Sequence, residues 1–404
     1  MRRSIAALIA MAALLAASCT PTPPPNRDAE SPVSGHALNS WSALLEVTPS
    51  HGSVQMEILR DSRPIDLFAV TGGQPITYTD HLLWPERTFD YEIRGYDANG
   101  RMIDTRHVAV ETPEQFGDIP PLYGAASFWN QPIAAGAAVD PGSVAMVTKA
   151  LVPYKSSANF WAGSNTWAKP LAYANPVSDS YKVGCTKYDC HTDVAFRIPL
   201  YATPSAGSDH HLVVIDSGTG QELDMWLASY DPATHSWSAG ARYLNDPNGW
   251  GATCPEKQHC GGAVAAGFAA FGGIVRPEEI AQGHIDHALF FTTPYTRRDY
   301  IACPATHTDG QTDDPAAIPQ GARIQLDPAF PVDTQPWPRW EKVIAHALQK
   351  YGAFLGDTGD SLSFAAEATL DRGYDAWSIV GVPAFASIGN LPWSKFRVLA
   401  LKRC

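Results

Sequence analysis

The chain reads as mainly β: a small sandwich followed by a larger, jelly-roll-like β-sandwich with a few helices. Three observations lead there. The 404 residues exceed what one typical core organises, so two domains are expected. The 32 Gly and 33 Pro break the chain into many short segments, and between those breaks apolar residues alternate with period two more often than they recur with helical period. The 12 Trp, 15 Tyr and 15 Phe supply the large side chains that such sheets pack.

The first nineteen residues stand outside this fold. Arg2 and Arg3 precede an apolar run over residues 5–15, and Ala16, Ala17 and Ser18 bring small side chains up to Cys19. The layout resembles a bacterial lipoprotein signal, which implies removal of residues 1–18 and a lipid thioether on Cys19. An ordinary secretory signal with Cys19 as a bystander is the alternative, and both put the protein outside the cytoplasm. Thr20, where Asp would favour the inner membrane, implies an outer-membrane anchor. Residues 19–36, rich in Pro, Ser and charge, are too poor in apolar groups to offset ordering entropy and read as an extended tether. No later stretch approaches the roughly 18 to 20 apolar residues of a membrane span.

Residues 37–113 form the small sandwich. Strands are expected over 43–47, 54–59 and 89–96, with a turn at 97–100. The run from Leu83 to Gly100 resembles the last hairpin of a fibronectin type III domain, where a Leu-x-Pro-x-Thr-x-Tyr corner leads into a strand and an Asp-x-x-Gly turn. Phe89 stands where the corner Tyr is usual, so either Tyr91 supplies the hydroxyl or the corner is built differently. Residues 114–123, with Pro120 and Pro121, read as a linker.

The larger domain spans 124–404. A helix is expected over 141–151, capped by Asp140 with Pro141 in its first turn. Residues 211–216, 222–227 and 237–244 read as an antiparallel meander. A short helix over 277–282 ends at Gly283 and delivers the chain into a strand over 285–292. A helix over 340–352 follows, and strands return near 362 and 396–401. From Phe128 onward the chain is similar to an uncharacterised family of secreted bacterial proteins. The shared motifs are Phe-Trp-Asn-x-Pro-Ile (residues 128–133), Gly-x-Ile-x-His-Ala-Leu (283–289) and Pro-Ala-x-x-x-Asp-Gly (304–310). That resemblance supports the domain boundary and implies no activity.

The formal charge of −12 becomes −14 once Arg2 and Arg3 leave with the signal. This disfavours nucleic acid and anionic lipid as partners, and argues against a strongly polyanionic substrate unless a local basic cleft overrides the field. Setting Cys19 aside, six cysteines remain in an oxidising compartment. Spacing pairs Cys185 with Cys190 and Cys254 with Cys260, leaving Cys303 for Cys404. A Zn site is the rival, but no CxxC pair exists.

Chemistry is expected where histidines sit beside carboxylates: Asp209 and His211, Asp286 and His287, His307 and Asp309, and His191 and Asp193. On a strand, His287 shares a face with Leu289 and Phe291, and the following loop would let His287 and His307 converge as acid and base or as metal ligands. Each is otherwise a buried histidine bonded to backbone. Glu222, Asp224 and Trp226 share one strand face, the carboxylates roughly 6.5 to 7 Å apart, near the separation glycosidic hydrolysis uses. This resembles the Glu-x-Asp-x-x-Glu strand of laminarinase-like sandwich glycosidases, but Leu227 replaces the second Glu. A solvated strand face is the alternative. Trp161, Trp167, Trp226 and Trp250 are candidate sugar platforms, and Arg276 or Arg197 would neutralise a uronate, with Tyr188 or Tyr295 as the acid of a lyase.

The leading expectation is a lipid-anchored, envelope-located enzyme that cleaves polysaccharide by hydrolysis or β-elimination, monomeric and needing no cofactor, although Ca or Zn held by the histidines stays open. A non-catalytic glycan-binding or scaffold lipoprotein is the alternative, and a histidine-dependent metal hydrolase is a third.

Overall fold

The computed structural model describes residues 32–114, 119, 121–161, 166–188, 190, 194–252 and 262–403. Cys19, the signal and most of the tether, His191, Asp193, Cys254, Cys260 and Cys404 lie outside the described residues. The chain is mainly β, with 36% in strands and 13% in helices. Among the described residues, no helix is long and apolar enough to cross a membrane.

Seven strands build the small sandwich: β1 (Val33–Asn39), β2 (Ser42–Val47), β3 (Gln55–Arg60), β4 (Arg63–Ala69), β5 (Ile76–His81), β6 (Thr88–Tyr96) and β7 (Met102–Glu111). One sheet has the order β1-β2-β5 and the other β4-β3-β6-β7, the fibronectin-like arrangement that the hairpin implied. Period two does the sorting: Phe89, Tyr91 and Ile93 of β6 point inward against Leu45, Met56, Ile58 and Phe68. At 97–100, Asp97 accepts the backbone N–H groups of Asn99 and Arg101, and Gly100 takes a positive φ of 73°. The corner is rebuilt as one of the alternatives allowed. Tyr91 supplies the hydroxyl, but donates to the buried Asp80 carboxylate at 2.7 Å rather than to backbone, beside Arg60 at 2.8 Å.

Residues 32–404 form one compact unit. Arg60 donates to the Arg372 carbonyl at 2.7 Å, Tyr374 donates to the Leu82 carbonyl at 2.6 Å, and Asn175 bonds both backbone groups of Thr79. Ala376 lies in the sandwich core itself. The small module is therefore seated on the larger domain through buried polar contacts.

In the larger domain a five-stranded sheet runs in the order Ala241–Asn245, Gln221–Trp226, Leu212–Asp216, Lys169–Ala174, Glu367–Ala368. Its first three strands are the antiparallel meander, whereas Lys169–Ala174 joins in parallel. The expected strand over 237–244 is split at Gly240. Ser236–Ala239 enters a separate four-stranded sheet, and a Cβ at 240 would meet Trp226 and Leu227 within 3.0 Å. A seven-stranded mixed sheet centres on Leu289–Thr293, which pairs in parallel with Ala353–Thr358.

Helices cover these layers. Arg339–Lys350 sits where periodicity placed it, with Gly352 at φ 67°, and Pro277–Gln282 ends at Gly283, φ 92°. The first helix is Ser143–Ala150, and Asp140 does not cap it: its carboxylate accepts from Gly142 N–H at 2.8 Å, turning the chain one step earlier. Two further expectations are corrected. The strand expected over 285–292 begins only at residue 289, as Leu289–Thr293, so His287 precedes the strand instead of sharing its face. Glu222 and Asp224 are fully buried, so that strand face is not solvated.

Candidate active site

Lys169 opens a strand whose burial leaves it 3% exposed. Its ammonium lies 4.5 Å over the Phe290 ring and makes no side-chain hydrogen bond among the described residues. Burial lowers it to about 8, against the opposing pull of Asp357, Asp224 and Asp209. A buried ammonium is tolerable only where carboxylates face it, and these three do.

Asp357 closes the strand Ala353–Thr358 at its loop end. Burial and then the Asp309 charge push it up to about 7, and Lys169 draws it down. Asp309, in the 304–310 loop, is oriented by its neighbours: it accepts from the Thr358 hydroxyl at 2.6 Å and from the Gln320 amide, and its own N–H reaches Gln320 at 3.0 Å. The same loop is pinned by Thr306 N–H to the Ala266 carbonyl at 3.0 Å.

Glu222 and Asp224 lie behind this front. Burial pushes both up, Glu222 with the added charge of Asp224, and Asp224 to about 6. Tyr123 donates to Glu222 at 3.0 Å, while Asn245 and the Ala270 N–H each donate to Asp224 at 2.7 Å. They are a sealed acid pair, not an open catalytic dyad. His211 is buried too, and burial followed by the Lys169 charge drives it well below the usual imidazole range, so it is neutral. Asp209 is half-buried and accepts from the Trp226 indole at 3.2 Å.

Aromatic rings lie beside the loop that carries Asp209. Trp161 and Trp167 lie 6.5 Å apart, and Trp167 is 40% exposed. Gly207 N–H bonds the Thr166 carbonyl at 2.9 Å, which holds the loop carrying Asp209 beside Trp167. On the other side the Cys185–Cys190 disulfide closes a loop that sets Lys187 5.0 Å over Trp226 and Tyr188 5.9 Å from it.

Of the residues singled out in the sequence, Asp209, His211, Asp224 and Trp226 gather around Lys169, with Glu222 behind and His307 two residues from Asp309 in an exposed position. His287 and His307 share no contact among the described residues. His287 is buried and bonded to Glu279 at 3.0 Å and to the Ala288 carbonyl at 2.9 Å, whereas His307 bonds the Thr306 hydroxyl. Arg276 is spent on Glu279 at 2.9 Å and Arg197 on Asp216 at 3.0 Å. Trp250 packs on Phe128 at 5.5 Å, and Tyr295 donates to Asp314. Cys303 is disulfide-bonded, and its N–H bonds the Lys402 carbonyl at 2.7 Å, which docks the chain end beside it. No group of three or more His, Cys, Asp or Glu among the described residues is arranged to hold a metal ion. A separate cavity of about 200 Å³ lies between the small module and the larger domain, lined by Trp41, Leu82, Tyr173, Arg276 and Arg372, away from these acids.

Sequence reasoning missed Lys169 and Asp357. Both lie in short apolar strands, and the signal was a lone charge inside each: Lys169 ahead of Pro-Leu-Ala-Tyr-Ala and Asp357 after Ala-Phe-Leu-Gly.

No protein-family model matches the chain, and no curated protein matches it. Among solved structures, fibronectin(III)-like modules of Clostridium thermocellum CbhA are similar at 14% identity and TM-score 0.16, covering 22% of this chain and 92% of that one. The third fibronectin III domain of the human KIAA0343 protein is similar at 15% identity and TM-score 0.16, covering 22% and 84%. A Yersinia enterocolitica family 28 exopolygalacturonase is similar at 11% identity and TM-score 0.19, covering 52% of this chain and 45% of that one.

Proposed function

We propose that the chain is an extracytoplasmic carbohydrate-active enzyme that hydrolyses glycosidic bonds of a polysaccharide, tethered to the outer membrane through a lipid on Cys19. The supporting observation is Asp357, pushed up to about 7 by burial and the Asp309 charge and drawn down by Lys169. Glycoside hydrolysis needs one carboxyl protonated at working pH and a second ionised. Asp357 is the proton donor to the leaving oxygen; Asp309, held by Thr358 and Gln320, is the second carboxylate, as base or nucleophile. Lys169 opposes the upward push of burial on Asp357, so that carboxyl can both hold and release a proton near neutral pH. Trp161, Trp167 and Trp226 hold sugar rings. Hydrolysis is favoured over β-elimination because the arginines expected to neutralise a uronate, Arg276 and Arg197, already pair with Glu279 and Asp216.

The test is incubation of the full chain with a panel of polysaccharides, reading new reducing ends and the absorbance of unsaturated uronates. New ends without that absorbance, lowered roughly 10² to 10⁴-fold by Asp357→Asn, are expected. Binding without cleavage favours the glycan-binding alternative. The anchor is checked by incorporation of labelled palmitate, which Cys19→Ala should abolish.

A further inference from the structure

We propose that the cavity at the junction of the small module and the larger domain is a second binding site, taking a compact neutral molecule of the phenol type: one aromatic ring with one hydroxyl. It is separate from the carboxylates of the hydrolase reading and does not depend on it. The volume of about 200 Å³ sets the size. A single water needs roughly 10 to 15 Å³ of such space, and a dry apolar cavity of about 150 Å³ accepts benzene, so this one suits a ring with one or two further atoms. The walls set the chemistry. Leu82 of the small module and Leu171 and Ile215 of the five-stranded sheet are buried around the space, and Trp41 and Tyr173 add ring faces. His81 lies 5.7 Å from the Trp41 ring and 4.4 Å from the Tyr173 ring, which ties the aromatic walls of the two modules into one frame. Such a lining favours an apolar ring over a sugar, whose many hydroxyls would lose water without finding partners. Pro121 and Asn248, both exposed, mark the solvent side.

One end of the cavity is polar, and its charges are matched within the wall. Arg276, Glu278, Glu367 and Arg372 line it, each more than nine-tenths buried. Arg372 pairs with both Glu278 and Glu367, and Arg276 pairs with Glu279 at 2.9 Å. An ion entering here would give up its hydration and meet no unmatched opposite charge, so a neutral ligand is selected. Hydrogen-bonding capacity nevertheless remains. The Tyr173 hydroxyl, which lies in the field of all four charged side chains, makes no hydrogen bond among the described residues, whereas the Tyr173 backbone N–H is taken by Tyr201 at 2.7 Å. Glu278 and Glu367 each keep one oxygen without a hydrogen bond among the described residues. A hydroxyl can donate and accept, so a single ligand hydroxyl is matched by that of Tyr173 while the ring stays against the apolar wall.

The experiment titrates the full chain by calorimetry with p-cresol, toluene, p-hydroxybenzoate, tyramine and N-acetylglucosamine, and reads thermal midpoints in parallel. The expected dissociation constant for p-cresol is below about 1 mM, within the ceiling for so small a ligand, and its binding raises the midpoint by mass action. The two ions and the sugar should bind at least about tenfold more weakly, for the desolvation reason above. Tyr173→Phe keeps the ring and should erase the preference for p-cresol over toluene, with toluene bound as before. Leu122→Trp fills the cavity from a half-buried wall position and should weaken both aromatics at least about tenfold. If that variant does not fold, the Tyr173→Phe comparison decides alone. Ions or sugar bound as tightly as p-cresol overturn the ligand class, and p-cresol binding unchanged by the variants overturns the site. No p-cresol binding at about 10 mM overturns both. Polysaccharide cleavage is also followed at saturating p-cresol. Unchanged release of reducing ends is expected, and competitive inhibition would join this cavity to the glycan path and overturn a separate site.

Discussion

Lys169→Met is the most informative perturbation, because the lysine is buried and its loss acts on two quantities with opposite pH dependence. Its folded value of about 8 lies below the ordinary 10.5. Stability from this group is therefore full above pH 10.5 and lost as pH falls through 8. The shift is worth about 3 kcal/mol at roughly 1.4 kcal/mol per unit. Asp357 has the reverse sign: its value is raised to about 7, so its contribution is full below pH 4 and lost as pH rises through 7. Methionine removes the lysine's recovery above pH 8, and without the ammonium Asp357 rises further, typically by 1 to 3 units for an opposite charge at close range. Relative to wild type, the variant should gain at pH 6 and fall progressively behind between pH 7 and 10, by about 3 kcal/mol. Urea unfolding at pH 6, 7, 8.5 and 10, followed by tryptophan fluorescence, reads this directly. In the cleavage assay the alkaline limb should move up by at least one pH unit, since Asp357 would hold its proton longer. Stability curves that stay parallel across that range, with an unmoved limb, would refute the coupling of Lys169 to Asp357.

Other outcomes follow from the same structure. Asp66 and Asp224 are raised to about 6 and Asp357 and Glu367 to about 7, mainly by burial, so stability falls as pH rises from 4 to 7; His81, lowered to about 4, loses its contribution as pH falls from 6.5 to 4. The melting temperature measured by calorimetry should accordingly be several degrees higher at pH 5.5 than at pH 8. His287→Ala leaves Glu279 and Arg276 buried without their third partner, so it should lower unfolding free energy by about 2 to 4 kcal/mol, whereas His307→Ala should leave urea midpoints unchanged and lower turnover. Cys185→Ser with Cys190→Ser frees the loop that carries Lys187 and Tyr188 over Trp226, and should weaken oligosaccharide binding about tenfold with little change in turnover at saturation. Asp80→Ala strips Arg60 and Tyr91 of their shared carboxylate inside the small sandwich and should cost about 3 to 5 kcal/mol, seen as a lower urea midpoint.

The sandwich was legible because period two and turn chemistry are local signals: Phe89, Tyr91 and Ile93 announce their common face, and Asp97 with Gly100 announce the turn. The mixed sheets of the larger domain were harder to read. A parallel partner such as Lys169–Ala174 for Leu212–Asp216 leaves no turn between the strands and no alternation in a strand buried on both faces. The site suffered from the same cause. Asp209, His211 and Asp224 could be named because each has a polar neighbour in sequence, but their meaning depends on Lys169 and Asp357, which lie 40 and more residues away in the chain and look there like isolated charges. His287 shows the converse. A histidine next to Asp286 in sequence turns instead to Glu279, eight residues back across Gly283, because a buried imidazole takes the acceptor that folding brings within 3.0 Å. Sequence adjacency marks which groups are polar. Burial and the charges that folding gathers decide whether such a group is matched by a partner, as His287 is by Glu279, or held near neutral pH by opposing charges, as Asp357 is between Asp309 and Lys169.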